Sequence, residues 1–350
     1  MSWEDNVRKV EPYVPGEQPK QKDVIKLNTN ENPYPPAPGV EKLAREFECS
    51  ALRLYPDTDS TALVTELGKR YQLDPSRIFV GVGSDDVLSM AFLTFFNSKK
   101  PILFPDVTYS FYDVWADLYR IPYKVCPLNE KFELVPESFM QENGGVIFPN
   151  PNAPTGVLES LATVEQILKA NPGVVVIVDE AYIDFGGESC LPLLDKYENL
   201  LIVQTFSKSR SMAGMRIGFA MGSEKLIQYL NDAKFSFNSY TMNRPSQVLG
   251  VEAVRDEAYF KETTEKIIAT RERVKKELQR LGFSFPDSKA NFIFAAHKCV
   301  SGEEIFKALK ERNIYVRHWN KPRISDYLRI TIGTDEQMDT LLAALEEILK

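Results

Sequence analysis

Between residues 61 and 222, short apolar runs alternate with helical stretches, and this alternation narrows the possible folds more than any other feature of the chain. RIFVGVGS, KPILFPDVTYS, GGVIFPNPNAPTG, VVVIVDEAY, LLIVQTFSK and RIGFAMG read as strands, while TALVTELGKRYQL, DDVLSMAFLTFF and VEQILKANP read as helices among them. Strands that alternate with helices pair mainly in parallel and carry the helices on both faces of the sheet. The expected fold is therefore α/β, with a mainly parallel sheet covered by helices. Ligands of such a sheet bind outside the carboxyl ends of its strands. VVVIVDEAY delivers Asp179 to that edge and LLIVQTFSK delivers Lys208, so the two charges are expected in one crevice although far apart in sequence.

At 350 residues the chain is longer than one hydrophobic core usually serves. Residues 1–40 are rich in proline and read as an extended arm that must lie on another surface. Residues 41–245 read as a large domain. Residues 246–350 read as a small α+β domain, joined by one long amphipathic helix over 251–282 with Gly282 as its C-cap. Beyond that helix come NFIFAAH, the helix EEIFKALKERN, a strand pair YVRHW and YLRITIG, and the terminal helix EQMDTLLAALEEILK.

The net charge of −7 and pI of about 5.2 argue against general affinity for nucleic acid or anionic membrane. An anionic substrate would have to be met by locally placed arginines. Cys49, Cys126, Cys190 and Cys299 form no CxxC pair, so neither zinc nor a disulfide framework is indicated, and they read as reduced, buried thiols. With no signal-type apolar segment and no long apolar span, a cytoplasmic location is expected. The chain has only 2 histidines, His297 and His318, too few for a multi-histidine metal centre. That leaves Lys208 as the candidate general base.

Lysine at a strand end can form a Schiff base, and aspartate can hold a protonated ring nitrogen. A pyridoxal phosphate enzyme needs this pair together with a phosphate site. GVGSDDVL places glycine and serine between a strand and a helix start, where free N–H groups favour phosphate; Ser84 and Asp85 are equally ordinary N-cap residues. The segment lacks the GxxxxGK[ST] pattern of an ATP loop. Ser207, Lys208 and Arg216 form a stronger set, since Arg216 follows a small, flexible stretch and its guanidinium can fork onto phosphate. Tyr182, three residues after Asp179, can reach the same ligand with its hydroxyl.

NTNENPYPP, RLYPD, GVGSDD, PDVTYSFY, FPNPNAPTG, VDEAYIDF, TFSKSRSMAGMRIG, YVRHW and YLRITIGT occur in order over residues 28–334. Together they resemble the fold-type I pyridoxal phosphate aminotransferases, and within them the histidinol-phosphate branch. The resemblance implies that Lys208 carries the cofactor and shuttles protons, that Asp179 pairs with the pyridine nitrogen, that Tyr182 hydrogen-bonds the ring hydroxyl and that Tyr109 stacks on the ring. It places the cofactor phosphate among Ser84, Asp85, Ser207 and Arg216, with Tyr55 reaching in from the second subunit of a homodimer. Arg317 and Arg329 would grip the substrate phosphate or the carboxylates of glutamate, with Tyr13 closing over the substrate and Asn30 approaching it. One departure stands out. Related enzymes commonly carry asparagine directly before Pro-Thr-Gly, where this chain has Ala153; Asn152 either takes over that contact to the ring hydroxyl or leaves it to Tyr182.

The implied reaction interconverts histidinol phosphate and 2-oxoglutarate with imidazole acetol phosphate and glutamate, in histidine biosynthesis. The rivals are an aromatic-amino-acid aminotransferase, a decarboxylase of a phosphorylated amino acid, and, from another class, a ligand-sensing regulatory module on the aminotransferase fold. No basic or helix-turn-helix segment supports the last of these.

Overall fold

The computed structural model describes residues 2–21 and 23–350. The arm is extended for most of its length, as its prolines demand, but it is not free of structure. Ser2 caps a 3-10 turn over Trp3–Asn6, and β1 (Ile25–Lys26) pairs in parallel with residues 314–315. A helix, α1 (Pro38–Arg45), begins before the expected end of the arm, because Pro38 occupies its first turn, where a missing N–H costs nothing.

From there α2 (Thr61–Tyr71), β2 (Ile78–Gly81), α3 (Ser84–Phe95), β3 (Ile102–Pro105), α4 (Tyr112–Tyr119), β4 (Tyr123–Cys126), β5 (Gly145–Pro149), α5 (Leu161–Ala170), β6 (Val176–Asp179), β7 (Leu200–Thr205) and β8 (Gly218–Met221) follow in order, then α6 (Glu224–Phe237) and α7 (Arg244–Arg255). The strands form a 7-stranded sheet in the order β2-β8-β7-β6-β5-β3-β4. Only β8 runs against the others. The register sets Pro149, Asp179 and Val203 side by side, so the end of β6 lies in the middle of the sheet's carboxyl edge. Strands β2, β3, β5, β6, β7 and β8 are buried throughout, which is why they read as continuous apolar runs. Strand β4 was not legible in this way because it is an edge strand, exposed at three of its positions.

The expected single helix over 251–282 is two helices, α7 and α8 (Glu257–Arg280). Asp256 breaks it: with φ −82° and ψ 73° it ends α7, and its carboxylate caps α8 by accepting from Tyr259 N–H at 3.0 Å. Gly282, at φ +90°, sits just past the end of α8, where a left-handed residue stops a helix. Beyond it β9 (Phe283–Ser284), β10 (Phe292–His297), α9 (Gly302–Glu311), β11 (Ile314–Tyr315), β12 (Arg317–His318), β13 (Tyr327–Thr331) and α10 (Asp335–Ile348) complete the chain. Four of these strands make an antiparallel sheet, β12-β13-β10-β9. Ala253 and Val254 of α7 pack in the core of the large sheet, whereas Ile267, Val274 and Leu278 of α8 pack in that of the small one.

Cys126 and Cys190 are buried as expected, but Cys49 and Cys299 are exposed. No group of metal-ligating side chains and no helix long and apolar enough to cross a membrane occurs among the described residues.

Candidate active site

Asp179 closes β6 and is 5% exposed. Its Oδ2 accepts a hydrogen bond from the Tyr112 hydroxyl at 3.0 Å and its Oδ1 accepts from Ala181 N–H at 3.1 Å. Burial pushes this carboxyl up to about 6, against the two hydrogen bonds and the nearby Lys208, all of which favour its charge. A carboxylate so placed is short of one cation. Lys208 lies three residues beyond the end of β7. Its Nζ donates to the Thr29 carbonyl at 3.3 Å and stands 5.6 Å from the centroid of the Tyr182 ring. The arm fixes both neighbours: Asn30 Nδ2 donates to the Tyr182 hydroxyl at 2.9 Å, and Asn32 Nδ2 donates to the Lys208 carbonyl at 3.0 Å.

A cavity of about 110 Å3 brings together Asp179, Tyr182, Lys208, Tyr109, Ser84, Asp85, Ser207 and Arg216. One wall is a cradle made by glycine. A Cβ on Gly218 would fall 2.3 Å from Ser84 N, and one on Gly83, at φ +86°, would fall 2.5 Å from the Arg216 guanidinium. Bare backbone at both positions lets β8 and Arg216 close on the start of α3, whose first N–H groups have no partner inside the helix. Arg216 itself is held at φ +54°, and among the described residues its guanidinium has only long contacts, 3.4 Å to Ser207 Oγ, 3.2 Å to Ala213 O and 3.3 Å to Asp85 Oδ2. Asp85 Oδ1 accepts from Tyr109 at 2.8 Å, which couples the cradle to the aromatic wall. Burial, reinforced by Asp85, raises the Tyr109 hydroxyl well above its usual range and keeps it a donor.

These residues fit pyridoxal phosphate: a buried carboxylate lacking a cation for the ring nitrogen, a lysine within the same cavity, and a glycine-lined helix start facing a loosely held arginine for the phosphate. Asn152, expected at the ring hydroxyl, stands apart from the others, and among the described residues its buried Oδ1 has no partner. Asn152 lines neither this cavity nor the cleft above it; its Nδ2 donates to Val107 O at 3.0 Å and Thr155 Oγ1 at 2.9 Å, which uses both amide hydrogens. Ala153 and Tyr182 stand at the cavity wall.

The cavity opens into a cleft of about 500 Å3 shared with Tyr13, Asn30, Arg317 and Arg329. Tyr13 stacks on Phe111 with centroids 4.0 Å apart, so the arm crosses the cleft. Arg317 on β12 and Arg329 on β13 are directly opposed across an antiparallel pair. Like charges in that position repel, and burial together with Arg317 lowers the Arg329 guanidinium from its ordinary value. Tyr55 is not brought to the cavity of its own chain. It is 77% exposed and stacks on Tyr240 at 4.5 Å.

Sequence reasoning missed Tyr112, Asn32 and Trp319. Tyr112 lies three residues after Tyr109, at the start of a helix that was not recognised, so nothing signalled that its hydroxyl turns inward to Asp179. Asn32 was visible in NTNENP but its partner is a main-chain carbonyl far along the chain.

Residues 22–345 match the family model for aminotransferase class I and II. The chain belongs to that family. It is a transaminase, and pyridoxal 5'-phosphate is its cofactor. It is 54% identical over 350 residues to the histidinol-phosphate aminotransferase of Lactococcus lactis subsp. cremoris (strain MG1363), covering 100% of this chain and 98% of that protein. It is 51% identical over 347 residues to the histidinol-phosphate aminotransferase of Clostridium botulinum (strain Kyoto / Type A2), covering 99% of this chain and 98% of that one. The crystal structure of histidinol-phosphate aminotransferase from Sinorhizobium meliloti in complex with pyridoxal-5'-phosphate superposes with a TM-score of 0.85 at 23% identity, over 93% of this chain and 90% of that one, which establishes the shared fold.

Proposed function

We propose that the chain is a histidinol-phosphate aminotransferase, interconverting histidinol phosphate and 2-oxoglutarate with imidazole acetol phosphate and glutamate in histidine biosynthesis. The observation that carries this reading is the opposed pair Arg317 and Arg329 on the cleft wall. Two forked cations set against each other are relieved by a dianion, and a phosphate monoester accepts bidentate hydrogen bonds from both. Glutamate, with two carboxylates, suits the same pair. The similarity to proteins named histidinol-phosphate aminotransferase over the whole chain supports the same choice.

When bound, pyridoxal phosphate supplies an electron sink that acidifies the α-carbon of an attached amino compound. The roles of the chain's own groups follow from their placement. Asp179 holds a proton on the ring nitrogen by offering a buried carboxylate. Tyr112 and Ala181 N–H keep that carboxylate ionised and aimed. Lys208 Nζ takes and returns the α-proton, with Tyr182 beside it. Ser84, Ser207 and Arg216 hold the phosphate, and Tyr109 covers the ring. Arg317 and Arg329 orient the substrate by its anionic end while Tyr13 closes the cleft against water.

The enzyme is proposed to be a cytoplasmic homodimer, with Tyr55 serving the phosphate site of the other subunit. Glutamate-dependent turnover tests the substrate assignment. Imidazole acetol phosphate should be used far better than phenylpyruvate under matched conditions with pyridoxal phosphate supplied. Equal or better use of phenylpyruvate would move the enzyme to the aromatic aminotransferases. Lys208→Ala should abolish transfer to either acceptor.

A further inference from the structure

The loop between β12 and β13 belongs by connectivity to the small sheet, yet it docks on the large one. Trp319 packs against the core of the large sheet, and Ile324, 6% exposed, is part of it. Arg323, at φ +68°, fixes the loop from outside. Its guanidinium is paired with Asp106 Oδ2, donates to Leu128 O at 3.1 Å and Asn129 O at 2.9 Å, and lies 5.6 Å from the centroid of Phe132. Asp106 directly follows β3 and is itself pinned, with Oδ1 accepting from Val107 N–H at 2.9 Å and Leu128 N–H at 3.0 Å.

What the loop carries is Trp319. Its ring lies 5.3 Å from the Arg317 guanidinium and 5.2 Å from that of Arg329. One indole face system thus contacts both members of the opposed pair, and such contacts attract a guanidinium by about 0.5–2 kcal/mol each, more when desolvated. Asp106 also lines the cleft into which an anion must come. Unpaired, its carboxylate would repel that anion; Arg323 neutralises it.

We propose that Trp319 and Arg323 are positioning residues for the anionic end of the substrate: Trp319 spaces Arg317 and Arg329, and the Arg323–Asp106 clasp holds Trp319 in place while masking the Asp106 carboxylate. This rests on the reading of the arginine pair as the substrate's anion site.

The test uses the cofactor-loaded enzyme and reads affinity, not turnover alone. Arg323→Gln should raise the KM for glutamate and the inhibition constant of inorganic phosphate about tenfold, the change that 1.4 kcal/mol produces. The kcat, the affinity for pyridoxal phosphate and the thermal midpoint should stay near those of the parent. The double variant Asp106→Asn with Arg323→Gln should recover part of the phosphate affinity, because the unmasked charge is gone. Trp319→Leu should weaken both ligands likewise, and Trp319→Phe should restore most of the loss. Unchanged glutamate and phosphate affinity in Arg323→Gln and Trp319→Leu would overturn the proposal, as would a fall in kcat with KM unmoved. If Arg323→Gln is too unstable to assay, Arg323→Lys, which keeps the charge but not the fork to the two carbonyls, must show an intermediate weakening; parental affinity there overturns the proposal. Glutamate serves as donor whichever acceptor the enzyme prefers, so failure of the substrate assignment with phenylpyruvate leaves this test standing.

Discussion

Asp179 must be anionic to hold a protonated ring nitrogen, yet its surroundings disfavour the charge. Its two hydrogen bonds and the nearby Lys208 offset the burial, and the one side-chain hydrogen bond comes from Tyr112, which is fully buried. Hydrogen bonds to a charged group contribute about 1.5–3 kcal/mol, so Tyr112→Phe should lower kcat/KM for glutamate by at least about tenfold, with the folded protein otherwise intact. A variant equal to the parent would show that Ala181 N–H suffices. The raised carboxyl also sets a pH dependence. With the folded value at about 6 and the unfolded one near 3.9, the group is protonated in both states below about pH 4 and imposes no cost there. As pH rises from about 4 to about 6 the unfolded chain ionises first, so the cofactor-free protein loses stability across that window, by roughly 3 kcal/mol for two units. Denaturant titrations of cofactor-free protein should show this decline, smaller in Asp179→Asn, and pyridoxal phosphate should flatten it by placing a cation beside the carboxylate. The lysine and aspartate were legible in sequence because Asp179 ends an apolar strand and Lys208 follows one closely. Tyr112 was not, because a hydroxyl pointing inward from a helix looks like any amphipathic tyrosine.

At the level of elements, the phosphate cradle depends on how closely β8 approaches the start of α3. Gly218 permits it, and a methyl group there would meet Gly83 C and Ser84 N at 2.3 Å, both backbone atoms that cannot turn aside. Gly218→Ala should therefore separate the strand from the helix start. Overpacking of this kind costs about 1–3 kcal/mol, and the loss should appear as weaker cofactor binding, measured by equilibrium titration of the cofactor-free protein. Unchanged cofactor affinity would mean that the cradle forms without that contact. The buried strands were read correctly because burial on both faces leaves a continuous apolar run. Edge strand β4 and the break at Asp256 were not read, since the first is decided by exposure and the second by a single capping carboxylate; the helices α1, α4 and α6 were not read either. The arm is the intermediate case. Its prolines announced an extended segment, but that Asn30 and Asn32 would reach Tyr182 and the Lys208 carbonyl depends on contacts 152 and 176 residues away.

For the whole molecule, the location of Tyr55 decides how many chains make one site. It projects from its own chain, 77% exposed, and its ring stacks on Tyr240 with centroids 4.5 Å apart. The proposed two-fold dimer is one in which Tyr55 of each subunit serves the Arg216 cradle of the other. Mixing two inactive variants distinguishes the arrangements. Lys208→Ala supplies an intact Tyr55, and Tyr55→Ala supplies an intact Lys208. If Tyr55 crosses to the partner, a heterodimer has one site with both residues intact and one with neither, so random reassociation of equal amounts should restore about a quarter of parental sites, half the dimers being mixed and half their sites whole. If Tyr55 serves its own chain, each site of the heterodimer still carries one defect, and mixing should give no more than the sum of the separate residual activities. The comparison requires Tyr55→Ala alone to bind the cofactor poorly, since it is the phosphate that loses a partner; recovery on mixing should therefore appear in cofactor retention as well as in turnover.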